Sequence, residues 1–388
     1  MIATLSVLIL LIALAFVVQA AAWAWLASGI RRVRADQPDL DAPEASGAAV
    51  PISVVVAARD EAERIGALLD ALAAQTHGAF EVVVVDDRST DATDEIVRQR
   101  QAAFPVPLRL LRVEPLAPEA TPPASRISPS RTGKKRALTL GIEAAAHDRL
   151  AFTDADCVPP PTWLATLAAT AAETPEAVLV GLGPLAGEGW LGRFVRYETM
   201  HTAALSLGAL GHRRAWHAVG RSLSYPRSLW RRLGGFEAHA DSLGGDDDLF
   251  VQQATRAGAE VRAVLTPEAH VPSPAPRSWR GFWRQRRRHA AAGARYAPGV
   301  LVRLGVLQLS ALVLWIGAPL VQAVWGVPWA WGPLAVRLLL QRAVLSDVWD
   351  VFGARGDVRL WHPVLDAMLA AYGMAAAALG ALPTPKRW

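Results

Sequence analysis

Apolar residues fall along this chain in runs of three kinds, and each kind predicts a different element. The longest run, Ile2 to Ile30, contains no charged residue. About 20 apolar residues cross a bilayer as a helix, so residues 1–30 read as one N-terminal transmembrane helix. Arg31, Arg32 and Arg34 follow it, and the positive-inside rule keeps that flank cytoplasmic. A cleaved signal peptide would open with a basic region, whereas here the positive charge comes after the apolar run. Residues 31–50 then turn small, acidic and proline-containing with no apolar period, the pattern of a linker.

The second kind of run is short and β-branched. Pro51 to Ala58 and Phe80 to Asp86 have the composition of strands buried on both faces of a parallel sheet. Between them, Ile65, Leu68, Leu69 and Leu72 recur at helical spacing within Asp60–Gln75. Thr90 to Gln101 reads as a helix, Leu108 to Val113 as a third strand, 114–132 as a proline- and serine-rich loop, Ala137 to Ala146 as a helix, and Arg149 to Thr153 as a fourth strand. Strands alternating with helices predict an α/β domain with a mostly parallel sheet over residues 51–300.

The third kind of run returns after residue 300. Leu304–Val324 and Trp361–Leu382 are each long enough to span, while Trp331–Val348 is interrupted by Arg337 and Arg342. Residues 301–388 therefore form a membrane region of two or three apolar segments, with tryptophans at the headgroup level. The Pro385-Lys-Arg-Trp tail favours a cytoplasmic C-terminus. That preference conflicts with three C-terminal spans if the first helix runs from outside to inside.

Composition sharpens this picture. Apolar residues make up 52% of 388, charged ones 19%, and the mean hydropathy is +0.22, which excludes a disordered chain. The single cysteine, Cys157, cannot form an internal disulfide. The net charge of +5 and pI near 9.8 raise the possibility of a nucleic-acid partner. The basic residues, however, gather beside apolar segments, which suits a membrane surface and argues against nucleic acid. All but Lys134, Lys135 and Lys386 of them are arginine, a bias of genomic base composition.

Candidate chemistry sits at the carboxyl ends of the predicted strands, where parallel sheets bind ligands. The second strand runs into Asp86-Asp87-Arg88-Ser89-Thr90-Asp91. Ser89, Thr90 or Asp91 can cap the next helix, which leaves Asp86 and Asp87 as ligand candidates. The fourth strand ends in Asp154-Ala-Asp156-Cys157. Two carboxylates so spaced can share a hard divalent cation, Mg2+ or Mn2+, with a ribose or phosphate. Gly244-Gly245-Asp246-Asp247-Asp248 precedes a helical run. Three acids there suit the helix dipole, but their mutual repulsion also raises a carboxyl pKa toward general-base work. Trp283-Arg284-Gln285-Arg286-Arg287-Arg288-His289 reads either as a polybasic patch on anionic lipid or as a binding element for an anionic group. His270 reads as a surface or satisfied histidine and Cys157 as a packed thiol.

Taken in order, these clusters resemble the membrane-bound family 2 glycosyltransferases, a group that includes processive glycan synthases and ceramide glucosyltransferase. The resemblance covers about residues 51–300. It implies a GT-A nucleotide-sugar-binding fold flanked by transmembrane helices. It further implies that Asp86 and Asp87 meet the uracil and ribose of a UDP-sugar. Lys134, in the Gly133-Lys134-x-x-Ala137 match, would lie near the diphosphate beside Asp154, with Asp156 on the metal. Gly220, Arg221, Gly235, Phe236 and Asp246 would form the acceptor side. Gln285 and Arg288 match a Gln-x-x-Arg-Trp motif and imply further nucleotide-sugar contacts, and Asp247 matches the base. Two departures stand out: Asp246 replaces a glutamate, which leaves Asp248 as an alternative base, and His289 replaces the motif tryptophan.

The chemistry needs a neutralised diphosphate leaving group, from a cation on Asp156 with Arg286, Arg287 and Arg288, and a base for the acceptor hydroxyl. The expected function is thus an inverting transfer from a UDP-sugar to a lipid or polysaccharide acceptor at the cytoplasmic membrane face, with the catalytic domain in the cytoplasm. A polyprenyl-phosphate sugar transferase and an inactive membrane scaffold are the alternative readings. The Gln285–Arg288 match counts against the first, and intact Asp87, Asp156 and Asp247 count against the second.

Overall fold

The computed structural model describes residues 2–37, 50–114, 133–240, 242, 244–353 and 356–380. Most of the expected 31–50 linker, the loop expected over 114–132 beyond Glu114, and the Pro385–Trp388 tail lie outside the described residues. The chain forms two compact units, each discontinuous in sequence. An α/β unit takes Asp36–Leu185 and Arg213–Pro274, and a helical unit takes the chain up to Ala35, Ala186–His212 and Ala275–Thr384.

In the α/β unit seven strands form one sheet: β1 (Ile52–Ala58), β2 (Phe80–Asp86), β3 (Leu108–Arg112), β4 (Arg149–Phe152), β5 (Val178–Val180), β6 (Leu223–Pro226) and β7 (Val261–Ala263). Their order is β3-β2-β1-β4-β6-β5-β7. The pairs from β3 through β4 are parallel, β6 runs antiparallel to both β4 and β5, and β5 is parallel to β7. The sheet is mostly parallel, as the alternation of runs predicts. Every residue of β1 and β2 is buried because both faces are covered. Val54, Val56, Val82 and Val84 pack with Ile65, Leu68, Leu69 and Leu72 of the helix Ile65–Ala73 and with Leu164 and Leu167 of the helix Trp163–Glu173. On the opposite face, Val55 and Val85 lie under the helix Lys134–Ala144 at Gly141.

The two polar residues inside these strands are adjacent in register, Ser53 opposite Glu81. Ser53 donates to Glu81 at 2.6 Å, and the amides of Ala146 and His147 donate to Glu81 Oε1 at 2.5 Å and Ser53 Oγ at 3.0 Å. Buried polar groups persist when so satisfied, and this pair ties the chain leaving the helix Lys134–Ala144 to the end of the sheet opposite the ligand-binding edge. The sequence reading assigns no element between Cys157 and Gly220. The structure there has the helix Trp163–Glu173, β5 and the helix Gly189–Leu210, alanine-rich segments in which no clean apolar period shows.

The helical unit contains the helices Ile2–Ala35, Gly189–Leu210, Trp279–Gly293, Pro298–Trp325, Gly332–Val351, Gly356–Leu360 and His362–Gly380. The first runs past Ile30 to Ala35 because the arginines after the apolar run are good helix formers and Pro38 comes only later. Ala3–Ala35 and Pro298–Trp325 are long and apolar enough to cross a membrane. They pack through Ile12, Ala15, Leu314 and Val321. Arg337, which interrupts the middle apolar segment, is buried with Asp366 of the last helix. Asp366 also accepts from Trp315 at 2.8 Å, Gln341 at 2.8 Å and Tyr197 at 3.1 Å, and Arg337 Nε donates to Gln19 at 3.0 Å. Five helices thus converge on one ion pair.

Candidate active site

The carboxyl edge of the sheet gathers the acids that follow β1, β2 and β4. The loops after β1 and β2 are laced together. The amide of Asp60 donates to Ser89 Oγ at 3.0 Å, the Thr90 amide donates to Asp60 Oδ1 at 2.7 Å, and the Ala62 amide donates to Asp91 Oδ2 at 3.0 Å. Asp91 also accepts from the Thr93 amide at 3.0 Å, just before the helix Thr93–Gln101, whose N-cap is Ala92 and not Ser89, Thr90 or Asp91 as expected. Asp60 and Arg88 hold left-handed backbone, φ 53° and 59°, a strain that the cross-loop bonds sustain.

Within this frame Asp86 accepts from the Ser89 amide at 3.1 Å. Asp87 is fully buried, and its Oδ1 accepts from Arg88 Nε at 3.0 Å. Its Oδ2 accepts no hydrogen bond among the described residues, with Arg59 at 3.9 Å. Such a carboxylate oxygen is a ready acceptor for a ligand's N–H or O–H.

Lys134 opens its helix directly after Gly133. Its ammonium sits 2.8 Å from Asp154 Oδ1, beyond β4, and 3.0 Å from Asp246 Oδ2, before the helix Asp248–Arg256. Burial opposes its charge, but the carboxylates of Asp154, Asp246 and Asp247 prevail and raise its pKa well above the ordinary lysine value. Lys134, Asp154 and Asp246 line one cavity with Leu138, Phe152, Thr153, Gly220, Leu223 and Tyr225.

Asp247 caps the helix Asp248–Arg256, its Oδ1 accepting from the Asp248 amide at 2.7 Å. Its Oδ2 accepts from the Gly220 amide at 3.1 Å. Desolvation first, then the neighbouring charges of Asp248 and Asp246, push its carboxyl up to about 7 against the pull of Lys134. Asp248 turns elsewhere: its carboxylate meets His217 Nδ1 at 2.7 Å and accepts from the Ala218 amide at 2.9 Å. The three adjacent acids therefore divide, one to Lys134, one to the Gly220 amide and one to His217.

Asp156 lies 3.7 Å from Arg64, which also donates to Glu61 at 3.2 Å. Ligand atoms of Asp154, Asp156 and Cys157 lie within 4.8 Å of one another. The donor chemistry fits a hard divalent cation held by the two partly exposed carboxylates. Cys157 is buried, and burial pushes its thiol far up, so it remains the packed, neutral thiol of the sequence reading and offers no thiolate.

Of the expected acceptor-side residues, Gly220 holds Asp247 and Asp246 lines the cavity. Arg221 is occupied elsewhere: Nε donates to the Val271 carbonyl at 3.1 Å and a second nitrogen to the Gly183 carbonyl. Phe236, 2% exposed, stacks edge-on against Trp230 and Phe250 in the core. Gly235 adopts φ 61° against the Trp230 ring. These three shape the scaffold. His270 is buried, not at the surface.

A family model described as Glycosyl transferase family 2 matches residues 53–225. One described as Glycosyl transferase family group 2 matches residues 150–379, more than half of the chain. The chain belongs to the family 2 glycosyltransferases. Over 115 residues this glycosyltransferase is 35% identical to Glycosyltransferase AglE of Haloferax volcanii, covering 29% of this chain and 33% of that one. Over 118 residues it is 33% identical to glucosyl-3-phosphoglycerate synthase of Mycolicibacterium paratuberculosis, covering 30% and 32%. The matches thus span about a third of the length of these curated relatives. Among solved structures, the mannosyltransferase PcManGT from Pyrobaculum calidifontis, in complex with GDP-Man and Mn2+, shares its fold with a TM-score of 0.52 at 22% identity, covering 95% of this chain and 98% of that one. The α/β unit is a GT-A nucleotide-sugar-binding fold.

Gln285 and Arg288 of the glycosyltransferase fall on the helix Trp279–Gly293, in the helical unit, and the side chain of Arg288 lies outside what the structure describes. Arg286, expected to face a diphosphate, is paired with Glu198 inside that unit. Sequence reasoning missed Arg59, Glu61, Arg64 and His217. Burial raises the Glu61 carboxyl, with further upward pushes from Asp156 and Asp154. Arg59, Glu61 and Arg64 stand directly after β1 in Arg59-Asp60-Glu61-Ala62-Glu63-Arg64, a charged cluster that reads as the start of a helix, whereas His217 carries no local mark and only folding brings it to Asp248.

Proposed function

We propose that this glycosyltransferase moves a sugar from a UDP-sugar to a hydroxyl of a lipid or glycan acceptor with inversion, at the cytoplasmic face of a membrane that its apolar helices enter. The observation that carries the reading is Asp247: a desolvated carboxylate, raised to about 7 and pinned by the Gly220 amide, beside the Lys134–Asp154–Asp246 cluster. A base works best when its pKa lies near the operating pH.

In this mechanism Asp87, with Asp86, receives the donor's uracil and ribose through the open Oδ2. Asp154 and Asp156 would hold Mg2+ or Mn2+, which supplies charge neutralisation at the diphosphate. Lys134 adds a fixed positive charge at the same place. Asp247 takes the proton of the acceptor hydroxyl as that oxygen bonds to the anomeric carbon. The bond from that carbon to the diphosphate oxygen breaks on the opposite side, and nucleoside diphosphate leaves. One in-line displacement inverts the anomeric centre.

The test is nucleotide release by the full chain in detergent, across UDP- and GDP-sugars, with and without Mn2+ or Mg2+. Asp247→Asn should lower turnover by about 10²–10⁴-fold while UDP binding by calorimetry is retained. The wild-type rate should rise with pH through about 7, since the base acts deprotonated, and Asp248→Asn should keep a rising limb but move it to lower pH, because the Asp248 charge helps to raise Asp247. Full turnover in Asp247→Asn overturns the assignment.

A further inference from the structure

Tyr225 lies on β6 and projects to the same side as Leu223, because side chains two apart on a strand share a face. Both line the cavity shared with Lys134 and Leu138, which stand one turn apart on the helix Lys134–Ala144. The Tyr225 ring packs on Phe152 at 4.7 Å and Phe250 at 4.4 Å, and 1% of the residue is exposed. Its hydroxyl makes no hydrogen bond among the described residues. Burial, then the charges of Asp246 and Asp247, raise its pKa well above the ordinary value against the pull of Lys134, so the group stays O–H and can donate. A buried hydroxyl without a partner is costly, and phenylalanine would keep both ring contacts without that cost. Packing therefore accounts for the ring and leaves the oxygen unexplained.

The cavity measures about 10 Å³, the room of one hydroxyl-sized group. Lys134, Asp154 and Asp246 bring charge to its wall, and Leu138, Phe152 and Leu223 bring apolar surface. A carboxylate or phosphate there would meet two like charges, and a methyl group would leave the Tyr225 hydroxyl unpaired. A neutral hydroxyl can donate to a carboxylate while it accepts from Tyr225. We infer that Tyr225 is a specificity-determining residue that donates a hydrogen bond to one hydroxyl of the transferred sugar, and that the enzyme selects donors with a free hydroxyl at that position. The inference rests on the function proposed above and adds the class of donor sugar. The cavity lies between Asp154, on the diphosphate side, and Gly220, whose amide holds Asp247. In an in-line displacement the body that spans leaving group and acceptor is the transferred sugar, not the ribose. A site built to bond a substrate hydroxyl rejects an analogue lacking it far more strongly than an apolar pocket rejects a missing methylene.

The test combines thermal unfolding of the full chain in detergent without ligand and calorimetry with Mn2+. The calorimetric probes are UDP, UDP-glucose, UDP-galactose and the monodeoxy analogues of whichever hexose donor binds more tightly. Tyr225→Phe should melt at a higher temperature than the wild type, because it removes an unpaired buried hydroxyl. It should nevertheless bind the hexose donor about tenfold more weakly, with UDP affinity unchanged. One monodeoxy analogue should bind the wild type about tenfold more weakly than its parent donor and show no such loss in Tyr225→Phe, since the two changes delete the same bond. A lower melting temperature in Tyr225→Phe would mean that the hydroxyl is paired within the protein. Undiminished donor affinity, or losses that add for every analogue, would mean that it meets no sugar hydroxyl, and each of these results overturns the inference. Failure of the wild type to bind UDP refutes the function proposed above, whereas intact UDP binding with unaltered donor affinity in Tyr225→Phe refutes only the role of Tyr225.

Discussion

Gly220 shows how one missing side chain positions the carboxylate proposed as the base. Its amide holds Asp247 Oδ2 at 3.1 Å, and a Cβ on Gly220 would come within 3.1 Å of that same oxygen and 3.6 Å of Asp247 Cβ and Cγ. Gly220→Ala should therefore shift the carboxylate by a few tenths of an ångström and lower transfer by about tenfold, with UDP affinity unchanged, because reacting groups tolerate little misplacement. Steady-state kinetics set beside calorimetry check this. The same carboxyl carries a stability signature. Its folded pKa lies above its unfolded value, so the fold prefers it protonated, and its contribution is lost as pH rises from about 4 through about 7. The melting temperature of Asp247→Asn relative to wild type should accordingly climb between pH 5 and pH 8, and a difference that is flat with pH would refute the raised pKa.

At the scale of an element, the start of the helix Lys134–Ala144 connects two parts of the site. Lys134 reaches Asp154 and Asp246. Lys135, buried behind it, donates to the carbonyls of His239 at 2.6 Å and Ser242 at 3.0 Å, in the segment that leads into Gly244, Gly245 and the acids. Lys135→Met keeps the stem and removes both bonds. It should cost about 2–5 kcal/mol, the penalty for leaving two buried carbonyls without partners, and lower turnover more than UDP affinity. Lys135→Arg should restore part of the stability, and denaturant unfolding with kinetics reads both effects. The helix itself was legible in the sequence as apolar spacing over 137–146, three residues late at its start. The role of Lys135 was not legible, because two carbonyls a hundred residues away leave no local mark.

For the molecule as a whole, the division into two units governs which charges survive burial. The α/β unit keeps the buried carboxylates of Asp86, Asp87 and Asp246 at the sheet edge against a backbone amide, an arginine and a lysine. The helical unit keeps Arg337 and Asp366 in its interior, where each is the other's charge partner. Asp366→Ala strands a buried guanidinium and should destabilise the fold by about 3–5 kcal/mol. Arg337→Leu/Asp366→Leu, which removes both charges, should cost much less. Thermal unfolding in detergent distinguishes them, and equal losses would show that the pair does not act as a unit.

The sequence by itself determined the parallel strands, because β-branched runs buried on both faces admit few other placements, and it determined the order of the acidic clusters at their ends. It also marked the apolar helices, since length and the absence of charge suffice for that. Tertiary structure alone decided how the three adjacent acids divide among Lys134, Gly220 and His217. It moved Arg221 and Phe236 into the scaffold and Arg286 onto Glu198. It also showed that Arg337 belongs inside a helix bundle. Hydrophobic periodicity is a property of neighbours along the chain. A pKa, a hydrogen-bond partner or a counter-ion is set by neighbours in space, and at these sites they come from segments tens to hundreds of residues apart.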